Sequence, residues 1–170
     1  LRSVHIARVD ARSIVVHDPE ADDTPMACVD LPPSKELVES RETGFTVLQS
    51  AIDDGFASAS ASATVERSLS EGTTIGLRVF GLAPATTYPA YVRYSDCAVA
   101  EGGERYRIDR DVMEPRESNE LWLPVSTGGD GSGMAELTVT EHITRADARS
   151  IVVHDPGDEQ RRYLCIDLAP

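Results

Sequence analysis

Histidine and cysteine, the residues most often used as metal ligands or nucleophiles, are scarce in this sequence. The histidines are His5, His17, His142 and His154, and the cysteines are Cys28, Cys97 and Cys165. The chain has no Ser-His-Asp or Cys-His arrangement, so we interpret the cysteines as structural. Their odd number means that one thiol is free or that its partner lies outside the chain.

Two short segments look like ligand-binding loops but lack the residues that such ligands need. Gly128–Gly133 reads GGDGSG, without the lysine and the following helix of a phosphate-binding loop, and favours a tight turn. Asp18–Asp23 carries carboxylates that could bind calcium, but the EF-hand spacing is absent. We therefore interpret this second segment as a solvated acidic loop.

The composition excludes several classes of partner. The chain has 16 Lys and Arg against 29 Asp and Glu, a formal net charge of -13. This balance argues against nucleic acid and anionic membranes, which need clustered positive charge. An apolar fraction of 41% fits a globular protein, and no apolar run approaches a membrane span of about 20 residues. Because the chain begins at Leu1, without Met or a signal pattern, we expect a piece of a longer protein.

The most specific feature is an internal repeat. Residues 4–19 and 141–156 are identical at 13 of 16 positions, at an offset of 137 residues, and the same offset maps Cys28 onto Cys165. No gap is needed, and this period suits a whole domain rather than a solenoid repeat. We therefore predict that residues 1–33 are the C-terminal strands of a preceding unit and that 34–170 is a complete unit.

The complete unit reads mainly as short strands. Alternating or β-prone segments occur at 45–52, 57–65, 74–80, 88–94, 121–125, 134–140, 151–153 and 163–166. About eight strands separated by turns predict an all-β sandwich or barrel. The charged stretch 98–118 is expected to be a long loop with one helical turn near 110–113, and residues 32–36 a linker.

Several segments together resemble the copper/zinc superoxide dismutases. GLAPATTYPAYVRYSDC is followed by a long loop, then by LWLP, GGDGSG, ARSIVVHDPGD and RRYLC. The order matches the Gly-Leu-x-Pro turn, zinc loop, Asp-Gly-x-Gly turn and closing strands of that family. The resemblance covers about residues 44–168 and implies an eight-stranded Greek-key β-barrel.

The resemblance assigns roles to individual residues. His154 matches a copper ligand, and Asp158 matches the aspartate that links the two metal sites. Arg162 matches the arginine that guides superoxide to copper. Cys97 and Cys165 match the intrasubunit disulfide, and Cys28 is the repeat equivalent of Cys165.

Most of the family's metal ligands are missing. The His-x-His pair falls on Tyr91 and Arg93, or on Ala90 and Val92 in the other alignment. The segment 98–119, which would carry the bridging and zinc histidines, contains no histidine. Copper that cycles between two redox states needs several nitrogen donors in a fixed geometry. We therefore expect a domain that has lost its catalytic metal, with no cofactor.

The leading hypothesis is a non-catalytic structural or protein-interaction module of a repeat protein. The alternative is an enzyme, a copper-only dismutase or a copper-binding domain with ligands rebuilt around His142 and His154. The Cys97–Cys165 disulfide that the resemblance implies closes a loop of 68 residues and is typical of oxidising compartments. We therefore expect a secreted or cell-envelope protein.

The duplicated tail predicts self-association. The core at 34–137 occurs once, so only one of the two tail copies can close it. We favour the C-terminal copy, because Asp158 and Arg162 keep the family pattern where the N-terminal copy has Ala21 and Pro25. The other copy keeps apolar strand edges, which recruit further chains. The expected partners are therefore neighbouring repeat units or a second chain that exchanges strands. The alternative is that one tail copy is poorly ordered.

Overall fold

The computed structural model describes most of the chain, in six stretches. These are residues 13–17, 25–30, 37–39, 44–68, 72–139 and 148–168. Three sequence predictions lie outside them: the acidic loop Asp18–Asp23, the linker 32–36 and the candidate ligand His142. Within the described stretches, no helix has the length and apolar content needed to cross a membrane.

The described residues form antiparallel β-structure, which confirms the all-β prediction. The strands are β1 Ser13–His17, β2 Pro25–Asp30, β3 Leu37–Glu39, β4 Phe45–Val47, β5 Ser60–Ser68, β6 Gly72–Phe80, β7 Thr87–Tyr88, β8 Ala90–Arg93, β9 Val125–Thr127, β10 Gly133–Val139, β11 Ser150–His154 and β12 Arg162–Asp167. One sheet has the order β3-β5-β6-β10-β9-β7, a second has the order β4-β12-β11-β8, and β1 pairs with β2. A short helix, α1, spans Gln49–Asp53, and a 3₁₀ turn spans Ala100–Gly102.

Side-chain alternation explains how the larger sheets enclose a core. On β6, Ile75, Leu77 and Val79 are buried while Arg78 is exposed, as expected for a strand with one face on the core. Strand β11 is buried along its whole length. The inward face of β11 joins the main core, and its outward face, with Val152, joins a second cluster that includes the two bonded cysteines. The outward face of β11 therefore carries the candidate site.

Three local predictions differ from the structure. Residues 49–53 form α1 rather than strand, with the buried Ala51 in the core and a Gln49–Asp53 side-chain hydrogen bond. The 121–125 strand is present only in part: Val125 belongs to β9, and Trp122 pairs with Tyr91 of β8 in a single bridge. The helical turn near 110–113 is a hydrogen-bonded loop, and the 3₁₀ turn lies at Ala100–Gly102 instead.

The two tail copies occupy different places. The C-terminal copy forms β11 and β12, which lie between β8 and β4, where the sequence argument favoured it. The N-terminal copy forms β1 and β2, which pair with each other in a separate two-stranded sheet.

Candidate functional site around His154

His154 ends β11 at a β-bulge. The ladder pairs Val153 with Leu164 and then His154 with Arg162, so that Tyr163 is the extra residue. A bulge bends the strand and re-aims its side chains. The backbone amide of His154 donates to the carbonyl of Pro89 at 2.8 Å, and the side chain is 1% exposed. The predicted metal ligand is therefore held inside the protein.

Both ring nitrogens of His154 are engaged. Nη2 of Arg93 lies 2.6 Å from Nε2, and the carbonyl oxygen of Glu159 lies 2.7 Å from Nδ1. A guanidinium can only donate, so Nε2 of His154 must accept this hydrogen bond. Nδ1 therefore carries the ring hydrogen and donates a hydrogen bond to the backbone carbonyl of Glu159. Burial, and then the charge of Arg93, lower the pKa of His154 to about 4. The imidazole is therefore neutral at physiological pH.

Arg93 is a buried cation on β8. Its Nη1 donates to the carbonyl of Gly103 at 3.1 Å, and its Nη2 donates to His154. Burial and the charges of Arg162 and Arg105 lower its pKa to about 10, so it stays charged at neutral pH. Its Nε–H finds no hydrogen-bond acceptor among the described residues.

Tyr91 forms the aromatic wall of the site. Its ring meets the imidazole of His154 edge-on with 5.3 Å between centroids, and meets Trp122 at 5.7 Å. The guanidinium carbon of Arg105 lies 3.7 Å from the centre of the Tyr91 ring, a cation–π contact. Burial, and then a hydrogen bond to Glu159, raise the pKa of Tyr91 to about 12.

Glu120 is a buried carboxylate that contacts Arg105 and Trp122, two residues that pack against Tyr91. Its side chain is 1% exposed, and Oε2 accepts hydrogen bonds from Arg105 at 3.1 Å and from the indole of Trp122 at 2.9 Å. Nε of Arg107 lies 3.7 Å from the other carboxylate oxygen. Arg105 also donates to Glu159 at 2.6 Å. These ion pairs and His154 form one fixed polar network.

The other residues that the resemblance singled out lie around this network. Nη1 of Arg162 donates to the carbonyls of Ala100 and Glu101, at 2.6 and 3.1 Å, and so ties β12 to the long loop. Asp158 is exposed and accepts the amide of Gln160 at 3.0 Å.

The predicted disulfide between Cys97 and Cys165 is present. It joins the start of the long loop to β12, and the amide of Cys97 also donates to Asp167 at 2.7 Å. Cys28, on β2, is exposed and carries no disulfide.

The residues around His154 do not fit a copper ion. Nε2 of His154 already accepts a hydrogen bond from Arg93, and neither alignment of the expected histidine pair, on Tyr91 and Arg93 or on Ala90 and Val92, places a histidine beside it. In the part of the chain that the structure describes, no group of three or more His, Cys, Asp or Glu side chains could hold a metal. What the arrangement can do is fix a neutral imidazole and a buried arginine in one geometry.

In one of the two alignments, Arg93 falls where the resemblance expects a histidine, but sequence reasoning missed the contact of Arg93 with His154 and the network of Glu120. The available signal was the charge itself, since Arg93 is a charged residue within the strand-like segment 88–94.

Comparisons with known protein families and with curated proteins found no match. No protein-family model matches the chain, and no curated protein matches it at a significant level.

Proposed function

We propose that this chain is a non-catalytic domain of the superoxide dismutase type, with a structural or protein-binding role in a repeat protein. The observation that carries the proposal is the 2.6 Å contact between Nη2 of Arg93 and Nε2 of His154. A side chain that can only donate takes the lone pair by which this histidine would bind copper.

The electrostatics of the site support the loss of the metal. Arg93 is buried and charged, and Arg105 and Arg162 lower its pKa further because they add positive charge nearby. A divalent cation at the same place would meet this repulsion as well. The positive charge of Arg93 therefore occupies the position beside Nε2 of His154 that a bound metal ion would need.

The finer fold assignment is supported by the Cys97–Cys165 disulfide, which the resemblance implies and which holds the long loop against β12. Arg162 also holds this loop, through its bonds to Ala100 and Glu101. Two antiparallel sheets with this loop across one of them are compatible with a Greek-key barrel of the superoxide dismutase type. The disulfide also supports the proposal of a secreted or cell-envelope location, because such bonds persist in oxidising compartments.

Copper loading of the intact chain tests the proposed function. After incubation with Cu(II), desalting and elemental analysis, we expect far less than one copper per chain and no superoxide turnover above a buffer control. The matched variant is H154Q, since copper bound at this site must be lost with the imidazole. One copper per chain that disappears in H154Q, together with rapid dismutation, would overturn the proposal and favour the rebuilt copper site.

A further inference from the structure

The hairpin β1–β2 repeats the hairpin β11–β12 pair by pair. Ile14 faces Val29 as Ile151 faces Ile166, and Val15 faces Cys28 as Val152 faces Cys165. Every other pair of the two ladders is also related by the offset of 137 residues, and the bulge falls at His17 in one and His154 in the other. The N-terminal hairpin is therefore built to the same pattern as the C-terminal one.

The two hairpins differ in what covers them. Val152, Cys165 and Ile166 are each 0% exposed, whereas their counterparts Val15 and Val29 are 42% and 59% exposed and Cys28 is exposed. Burial of apolar side chains stabilises a strand. The N-terminal hairpin thus presents to solvent the surface that its counterpart buries.

The structure shows which surface buries the C-terminal hairpin. Strand β12 pairs with β4, with Cys165 opposite Thr46, and β11 pairs with β8, with Val152 opposite Tyr91. We call the space between β4 and β8 the slot. Because β1 and β11 have the same sequence, SIVVH, β1 in a slot would meet β8 with identical side chains, and His17 would lie where His154 accepts Arg93.

We propose that the N-terminal hairpin docks in the slot of a second copy of this chain when that copy releases its own C-terminal hairpin. The slot of each copy is filled by its own β11 and β12 and closed by the Cys97–Cys165 disulfide, so docking needs a copy whose C-terminal hairpin has left the slot. Within β2, Met26 and Ala27 replace Tyr163 and Leu164, so the resident hairpin fills the slot better. Docking therefore follows release of the resident hairpin and does not drive it.

The docked hairpin exchanges the disulfide without an external oxidant. The thiolate of Cys28 attacks Sγ of Cys97, the Cys97–Cys165 bond breaks, and Cys165 leaves as a thiolate that takes up the proton lost by Cys28. One disulfide forms and one breaks, so the redox state is unchanged. The product is a dimer linked through Cys28 of the donor copy and Cys97 of the acceptor copy.

Two single-cysteine chains test docking between copies. The donor carries C97S and C165S and keeps Cys28; the acceptor carries C28S and C165S and keeps Cys97, with L164A added to weaken its resident hairpin. The chains are mixed in oxidised and reduced glutathione and analysed by non-reducing electrophoresis and peptide mass spectrometry. We expect a heterodimer linked through Cys28 and Cys97.

The matched control is a donor that also carries V15K. Lysine is tolerated at 15 because this side chain is half-exposed in the free hairpin, but its counterpart Val152 is fully buried in the slot. We expect V15K to reduce the heterodimer at least tenfold. An equal yield with V15K, or no heterodimer with either donor, would overturn the proposal.

A third chain, with C165S alone, distinguishes docking between copies from closure of the chain's own core. A monomer with an internal Cys28–Cys97 bond as its main product would show that the hairpin closes its own core, against this proposal. A disulfide-linked oligomer supports it. This inference rests on the repeat and its strand pairing and does not depend on whether the chain binds copper. The copper-loading experiment therefore tests the proposed function alone, and the cysteine experiment tests docking alone.

Discussion

Nη2 of Arg93 lies 2.6 Å from Nε2 of His154, although 61 residues separate the two in the chain. A metal at that nitrogen would have to displace the guanidinium and leave a buried cation with fewer hydrogen bonds. Such uncompensated burial of charge is strongly unfavourable. The pair therefore disfavours metal binding at Nε2 of His154.

Under the proposed function, a histidine pair introduced on β8 is expected to create a copper site next to His154. The double variant Tyr91→His/Arg93→His removes the competing guanidinium and places two imidazoles on β8, next to His154. We expect Cu(II) affinity at least 100-fold above that of the unmodified chain, measured by calorimetric titration and by the nitrogen couplings of the Cu(II) spectrum. Addition of H154Q should abolish the gain. Equal affinity in the unmodified chain would contradict the role given to Arg93.

Stability is expected to fall as the pH drops from about 6.5 to about 4. The pKa of His154 is about 4 in the folded chain, against about 6.5 when unfolded. The unfolded state therefore binds the proton first, and stability present above pH 6.5 is lost as the pH falls, by at most about 3 kcal/mol. Urea unfolding at several pH values measures this loss.

A single substitution supplies the control for that pH dependence. H154Q should flatten stability between pH 6.5 and 4.5. Carboxyls with lowered pKa values, Asp54, Asp96 and Glu159 among them, contribute mainly below this window. The same slope in H154Q and in the unmodified chain would rule out His154 as its origin.

The sequence was informative wherever local pattern determines structure. Alternation in Thr74–Phe80 predicted β6, and the glycines of 128–133 predicted the turn before β10. It failed at 49–53, where β-prone residues form α1 because Ala51 packs into the core. Tertiary packing overrides local propensity in such short segments.

The site could be predicted only in part for a related reason. Motif order identified His154 and the two cysteines of the disulfide, because those residues lie in recognisable segments. The contact of Arg93 with His154 depends on the pairing of β8 with β11, and the burial of Glu120 depends on how the long loop folds over that sheet. Neither follows from the spacing of residues along the chain.

Neutralising Glu120 is expected to destabilise the fold. Its buried carboxylate pairs with Arg105 and lies near Arg107, so Glu120→Gln leaves Arg105 with Glu159 alone and removes the charge that faces Arg107, at a cost of up to about 3–5 kcal/mol. The matched control is Glu114→Gln, whose carboxylate is 84% exposed and pairs with Arg116 at the surface; exposed pairs contribute about 0–1 kcal/mol. Urea unfolding followed by the fluorescence of Trp122 measures both, and equal effects would refute a buried network.

The disulfide is expected to contribute substantially to stability. It closes a span of 68 residues, for which the chain-entropy model gives about 4 kcal/mol. Unfolding with and without reductant should show this loss, and the C97S/C165S variant should match the reduced chain. C28S should have no effect, since Cys28 carries no disulfide. Three titratable thiols in the oxidised, denatured chain would disprove the bond.

The turn before β10 is expected to tolerate alanine at one glycine and not at another. Gly131 has a φ of +75°, and a Cβ there would lie 2.2 Å from the carbonyl oxygen of Leu82, a backbone atom with little room to move. Gly131→Ala should therefore cost more than the roughly 1 kcal/mol of a left-handed conformation alone. At Gly129 a Cβ meets nothing within 4 Å, so Gly129→Ala should change the free energy of unfolding by less than about 0.5 kcal/mol. Thermal and urea unfolding of the two variants provide the comparison, and equal stability would show that Gly131 and Leu82 do not approach each other in solution.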